Sequence, residues 1–388
     1  MRSGSLCSLF ICLLLIGSAT SCSWFGGDKR VKPNKLTALT QKVEVKKRWQ
    51  RSVGSGAGKL YRIMSPVIDG DSVYANDYKG RVFAFSRETG KSLWSQSLKL
   101  DLAAGVGVGG NSVLIASLNG DVVALDKQSG EEQWRANVTS EVLAPPQSNG
   151  SVVVVQTNDG KLMGLDAKTG ENIWVYSSQL PILTLRGTAT PQVFGPNVVT
   201  GFANGKLVAL SAVDGTPFWE RRIARPQGRS DIERVVDIDG SPVISDALIY
   251  ASSYNGTLSA LTPRGDIIWS QSSSSYSSPV IIDSRVFVST SEGWLRAFDA
   301  KTGLQLWENK LLSGRKLAAP QNLAGFIVTA DFEGYVHVFD SETGAIIDRF
   351  QIDDEGVRSP MISDGTYLYV LGNDGVLASI AVYLFSGS

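Results

Sequence analysis

Short apolar runs alternate along this chain with polar turns that end in glycine, and the turns recur at a nearly fixed spacing. Aligned on that glycine, the copies read Gly80-Arg-Val-Phe-Ala-Phe, Gly120-Asp-Val-Val-Ala-Leu, Gly160-Lys-Leu-Met-Gly-Leu, Gly205-Lys-Leu-Val-Ala-Leu and Gly256-Thr-Leu-Ser-Ala-Leu. Gly293-Trp-Leu-Arg-Ala-Phe, Gly334-Tyr-Val-His-Val-Phe and Gly375-Val-Leu-Ala-Ser-Ile complete eight copies, at intervals of 40, 40, 45, 51, 37, 41 and 41 residues. The first copy divides into four strands: one opening at Ser65-Pro66-Val67-Ile68, one around Val73-Tyr74-Ala75, one from Val82 to Phe85, and one holding Trp94. Turns at Asp69-Gly70, Gly80 and Arg87-Glu88-Thr89-Gly90 separate them. Glycine ends such turns because short hairpin loops need a residue at positive φ. Eight units of this kind predict an all-β fold, an eight-bladed β-propeller of four-stranded antiparallel blades around a central channel.

Two details sharpen the prediction. The residue four after the aligned glycine stays small, as Ala84, Ala124, Gly164, Ala209, Ala260, Ala297, Val338 and Ser379, so one face of that strand must be closely approached. The neighbouring blade's sheet is the expected neighbour. The last copy also lacks a tryptophan strand, while Val43-Glu-Val-Lys-Lys-Arg-Trp49 at the other end of the chain resembles those at Trp94, Trp134, Trp174, Trp219, Trp269 and Trp307. The amino-terminal strand is therefore expected to complete blade 8 and close the ring, hiding its edges. Blade 7 departs, with Asp348 where the tryptophan belongs.

Composition narrows the function. The 388 residues are 43% hydrophobic and 19% charged, a globular balance, and 37 basic residues against 37 acidic ones leave no excess positive charge to hold nucleic acid. Met1-Arg2 followed by the apolar and small residues from Leu6 to Gly17 reads as a targeting segment too short to span a bilayer. It ends in Ala19-Thr20-Ser21-Cys22, which resembles a bacterial lipobox except that Ala19 stands where leucine is usual. The division that follows is a lipoprotein signal peptide over 1–21, a lipid-anchored tether over 22–42 carried on Cys22, and the propeller over 43–385. Cys7 and Cys12 leave with the signal, so Cys22 is the single remaining thiol and acylation would dispose of it. Ser23, which is not aspartate, implies sorting to the outer membrane, facing the periplasm. The alternative is an ordinary signal peptide and a soluble periplasmic protein.

Asp166-Ala-Lys-Thr-Gly-Glu-Asn-Ile-Trp174 and Asp299-Ala-Lys-Thr-Gly-Leu-Gln-Leu-Trp307 resemble the blades of pyrroloquinoline-quinone dehydrogenases, in which the tryptophan docks on the next blade. The Gly-His and Trp-Asp signature of WD-type propellers is missing. Among lipoproteins with such blades, the chain resembles the BamB family of outer-membrane protein assembly factors over essentially its whole mature length. The resemblance implies a scaffold that docks on the periplasmic POTRA domains of the barrel subunit BamA and assists assembly of outer-membrane barrels, with unfolded precursors as a further class of partner. It carries partner-binding roles to Leu183, Leu185 and Arg186 in one interblade stretch and to Asp237 and Asp239 in another. In such a patch apolar anchors supply affinity and charges set register. Independently of the resemblance, residues 220–239 hold five arginines and five acidic residues, well above the 19% average for the chain. Loops carry function more often than scaffold does, although a solvated excursion has the same composition.

No catalytic, metal or cofactor site is expected. A quinone-cofactor dehydrogenase is the alternative enzyme reading, but that family resembles much longer chains with a vicinal cysteine pair, and here there is no such pair. The single histidine, His337, occupies a position filled elsewhere by Phe83, Val123, Met163, Val208, Ser259, Arg296 and Ala378, which marks it as structural. Ser272 to Ser278 read as a loop before the strand opened by Pro279, with no base nearby to activate a nucleophile. A lipoprotein propeller that binds another envelope polymer or protein is the remaining alternative.

Overall fold

The computed structural model describes residues 32–385; the expected signal segment and Cys22 lie outside the described residues. Thirty-two strands form eight four-stranded antiparallel sheets, and each of the first seven is built from consecutive strands. The fold is an eight-bladed β-propeller. Blade 1 runs from Val67–Asp69 at the axis through Ser72–Asn76 and Arg81–Ser86 to Ser92–Ser97 at the rim.

Unbroken apolar runs form the two middle strands because both faces of each blade meet a neighbour. In blade 3, Val153 and Val155 of Val152–Gln156 cluster with Leu114 and Val122 of blade 2, while Val152 and Val154 cluster with Val198 and Val208 of blade 4. The outermost strands differ. Asn172–Ser177 buries one side chain, Trp174, and leaves the rest wholly or partly in water.

That tryptophan is the device that joins blades. Trp134 donates from Nε1 to the Ala167 carbonyl of the next blade at 2.9 Å, and Trp174 to Ala212 at 2.8 Å. Trp49, Trp94, Trp219, Trp269 and Trp307 make the same bond with Arg87, Lys127, Pro263, Ala300 and Ser341. Each indole also lies on the glycine that ends the receiving turn. At Gly170, φ is +76° and an added Cβ would stand 2.6 Å from the Trp134 ring, so both backbone conformation and space require glycine there.

The small residue four after each aligned glycine has a different neighbour from the one expected. It pairs across strands with the tryptophan of its own blade, as Ala84 with Trp94, Ala124 with Trp134 and Gly164 with Trp174. At Gly164 an added Cβ would fall 2.1 Å from the Trp174 ring. The indole is held between its own sheet and the next blade's turn. Where the tryptophan is missing, the opposed residue is the larger Val338, facing Asp348.

Ring closure explains that exception. Blade 8 takes its outermost strand, Val43–Ser52, from the amino terminus and pairs it with Val376–Leu384 from Val43↔Leu384 to Ser52↔Val376. Its two outer strands come from opposite chain ends, so no turn joins them and a tryptophan on blade 7 would have nothing to dock on. Residues before the strand take the place instead: Gln41 Nε2 donates to Asp348 Oδ1 at 2.9 Å and Lys42 N to the Ile347 carbonyl at 3.0 Å. The segment expected as a tether is thus seated on blades 6 and 7 from Asn34 onward, where Asn34 N donates to Ser313 O at 2.9 Å and Arg315 Nη1 to Asn34 O at 3.2 Å.

Antiparallel order within each blade puts the turns between its second and third strands on the same side as the connections to the next blade. The remaining hairpin turns lie on the other side. All residues expected to bind a partner therefore share one side, the interblade face.

Replacing Trp134 with alanine is expected to lower unfolding free energy by about 3–5 kcal/mol, read from the urea midpoint. Gln41→Ala at the seam should cost about 1 kcal/mol, a single hydrogen bond. Equal effects would refute the indole as the main fastening.

Candidate functional site

Residues 223–242, between blades 4 and 5, form the longest of the interblade connections, and residues 178–191, between blades 3 and 4, lie beside them. Each is anchored by strands that end on the interblade face, Asn172–Ser177 and Pro217–Arg222. Residues 225–234 of the longer connection are exposed, whereas Ile223 and Ala224 before them and Val235, Val236, Asp237 and Ile238 after them are buried. Hydrogen bonds hold that inner stretch to both blades: Tyr254 N donates to Asp237 O at 2.8 Å, and Ile238 N reaches Phe202 O at 3.4 Å.

The two connections are fastened to each other. Leu185 N donates to Asp237 Oδ2, and Thr190 N to Ser241 Oγ at 3.2 Å. Gly187 lies so close to Asp239 that an added Cβ would stand 2.8 Å from its carboxyl carbon. A cavity of about 10 Å³ remains under the loop, bounded by Thr184, Thr188, Phe202 and Asp239.

The five expected residues thus come together, but in two different roles. Leu183 is 43% exposed, next to Ile182 at 109%, and both stand out from the surface. Arg186 is exposed too, and its Nη2 meets Glu141 Oε2 at 2.9 Å. Asp237 is completely buried and Asp239 half-buried, so neither is the free surface charge that the sequence suggests. Their carboxylates act from beneath, as supports for the loop that carries Leu183 and Arg186.

Burial pushes the Asp237 carboxyl up to about 7, although the hydrogen bond from the Leu185 amide favours its ionised form. Asp239 rises to about 8, by burial first and then by the nearby Asp237 charge. Desolvation within the channel mouth and then the Asp239 charge raise the Tyr61 phenol, although the residue is 60% exposed. Tyr61 belongs to the connection from blade 8 to blade 1, on the opposite side of the ring, so this interaction crosses the mouth of the central channel.

Glu141 and Asn158 belong to the site and were not expected from sequence. Glu141 Oε1 accepts from Asn158 Nδ2 at 2.7 Å while Oε2 holds Arg186, so Asn158 orients the carboxylate that fixes the guanidinium. A periodic signal could not reveal a partner 45 residues away in another connection.

Two other groups of polar residues have structural work. His337 is fully buried, its Nε2 meets Asp331 Oδ2 at 2.8 Å, and burial holds its pKa below the ordinary value. Arg315 Nε donates to the same Asp331 oxygen at 2.6 Å. Among the described residues, Asp353, Asp354 and Asp374 bring carboxylate oxygens within 4.8 Å of one another. Asp353 caps turns, taking Glu355 N at 2.8 Å and Asp374 N at 3.1 Å. It fills the space left by Gly372, where an added Cβ would lie 1.8 Å from its oxygen. Blade 1 has Asp77 at the equivalent place, capping its own turn through Lys79 N at 3.1 Å and Arg81 N at 2.9 Å.

Comparison with known proteins agrees with the fold and adds a family. The family described as "Outer membrane protein assembly factor BamB" matches residues 78–309 and 291–382. A protein of that name from Pseudomonas aeruginosa is 46% identical over 375 residues, covering 96% of this chain and 97% of its own. The crystal structure of BamB from Moraxella catarrhalis superposes with a TM-score of 0.80 at 28% identity, over 87% of this chain and 100% of that one. A quinohemoprotein alcohol dehydrogenase from Comamonas testosteroni superposes at 0.68 with 14% identity, over 89% of this chain and 77% of that one, which is a likeness of fold alone. With its eight blades, its seven indole fastenings and this kinship along nearly its full length, the chain belongs to the BamB family of outer membrane protein assembly factors, a family of scaffolds and not of enzymes.

Proposed function

We propose that this protein is a non-catalytic subunit of the outer-membrane β-barrel assembly machinery, docking through its interblade face on the POTRA domains of the barrel subunit BamA. A lipid-modified Cys22 holds it to the outer membrane from the periplasmic side. The observation that carries this reading is the fastening of two neighbouring connections into one platform, Leu185 to Asp237 and Gly187 to Asp239. That platform presents Ile182 and Leu183 to solvent beside an Arg186 already aligned by Glu141. Arginine is among the side chains enriched at binding hot spots, the apolar pair beside it adds area to bury, and a side chain held in place before contact loses less entropy on binding. The assembly-factor name carried by the Pseudomonas aeruginosa relative supports the same reading.

Arg186→Glu is expected to lower co-purification of the barrel subunit from detergent-solubilised membranes by at least about tenfold, as loss of a hot-spot arginine does. Because the side chain is 58% exposed, the unfolding midpoint should barely change. Co-purification unaltered both in this variant and in Leu183→Asp would sink the assignment.

Cys22→Ala combined with Arg186→Glu, which removes docking on the barrel subunit, is expected to move the protein from the membrane fraction to the soluble one, whereas Arg186→Glu alone stays at the membrane. Retention of the double variant would contradict the anchor.

Capture of barrel precursors along the rim is supported by Ile173, Val175, Ile267 and Ile268, which are exposed on outermost strands with an unpaired edge. Adding an unfolded precursor should slow amide exchange in Asn172–Ser177 and Ile267–Ser272. Unchanged exchange in both strands would argue against capture there.

A further inference from the structure

Alternate residues of one connection meet alternate residues of the other: Leu185 N donates to Asp237, and Gly187 lies against Asp239. Both carboxylates stand under a loop whose upper side is exposed, and among the described residues neither forms an ion pair with a lysine, arginine or histidine. Arg186, on the loop itself, is held by Glu141, and Arg358, on the connection from blade 7 to blade 8, lies over the Tyr61 ring at 5.7 Å. Tyr61 is the titratable group that faces Asp239 from across the channel, and Tyr254, which follows Asp237 in the hydrogen-bonded chain, offers its backbone amide. Asp237 Oδ1 and Thr188 Oγ1 are buried without a hydrogen-bond partner. A fully buried Asp237 with an unused oxygen and no counter-ion, beside the half-buried Asp239, is tolerated only if at least one of the pair keeps its proton.

We propose that Asp237 and Asp239 form a proton-controlled latch that fastens residues 183–188 to the propeller when protonated and releases them when both carboxylates ionise. The latch deepens the docking reading above, on which its role in partner binding rests, because it sets whether Leu183 and Arg186 are presented in a fixed arrangement.

The direction follows from linkage. With the loop closed, burial without a counter-ion outweighs the Leu185 hydrogen bond and pushes the Asp237 carboxyl up to about 7, while burial and then the neighbouring Asp237 charge push Asp239 up to about 8. Opened to water, they return to the ordinary value of about 3.9. The closed state therefore binds more protons throughout the interval between, so closure is favoured as pH falls and weakened as pH rises through 7 and 8. Below about pH 4 both states are protonated and no further change occurs.

Amide hydrogen exchange at Leu185, whose N–H is bonded to Asp237, in the full-length protein, without a partner, reads the latch directly. After correction for the intrinsic pH dependence of exchange, protection of this amide should fall by about tenfold or more between pH 6 and pH 9. The isosteric variants Asp237→Asn and Asp239→Asn, which keep a hydrogen-bonding side chain but cannot ionise, should flatten that dependence. Corrected protection that does not vary with pH in the unmodified protein would overturn the proposal, as would an undiminished slope in both variants. Since no partner is present, failure here leaves the Arg186 co-purification result standing, and failure of co-purification leaves the latch standing.

Discussion

Everything in this ring depends on an indole held between two sheets. A blade of four short strands has two apolar faces and cannot bury either alone, so it is stable only in contact with others. The tryptophan on the outermost strand supplies the fastening at the rim, where the apolar contact of the middle strands has run out. Its ring rests on a small residue of its own blade, its flat side covers a glycine of the next, and its Nε1 hydrogen satisfies a turn carbonyl. Three sequence features that look independent, a tryptophan, a small residue and a turn glycine, are therefore one interaction seen from three positions.

Because the rim is fixed in this way, the connections between blades are free to vary in length without disturbing the sheets. The swelling between blades 3 and 5 uses that freedom. Two connections that elsewhere would be separate excursions have become a single raised surface, tied by a carboxylate buried beneath it. The side chains that face outward are Leu183 and Arg186, while Asp237 and Asp239 lie beneath and tie the loop to the neighbouring connection.

The periodic part of this architecture was legible in the chain, since turn glycines and strand tryptophans repeat in register and even the displaced strand at Val43 carries its tryptophan. The neighbour of the small residue was misjudged because spacing along one strand shows that space is short and says nothing about which sheet fills it. In the candidate site, the residues were found by family resemblance and their burial was not. A carboxylate at 237 looks the same in sequence whether it faces solvent or an amide 52 residues earlier. Glu141 and Asn158 escaped for the same reason. Long-range pairing in irregular segments leaves no period behind: the closing strand at the seam was legible from its tryptophan, but the seating of Gln41 on Asp348 was not.

The seam also fixes an order of events. Blade 8 joins Val43 to Leu384, so the first strand to be synthesised waits for nearly the last before it acquires its partner. Contacts of such long range form late, after the cost of closing the chain between them has been met. Until then the growing protein is an open arc with unpaired strands at both ends, exposed to misassociation. Its vulnerability is therefore set by how quickly the final residues arrive, and the finished ring, once shut, has no end from which it can easily unravel.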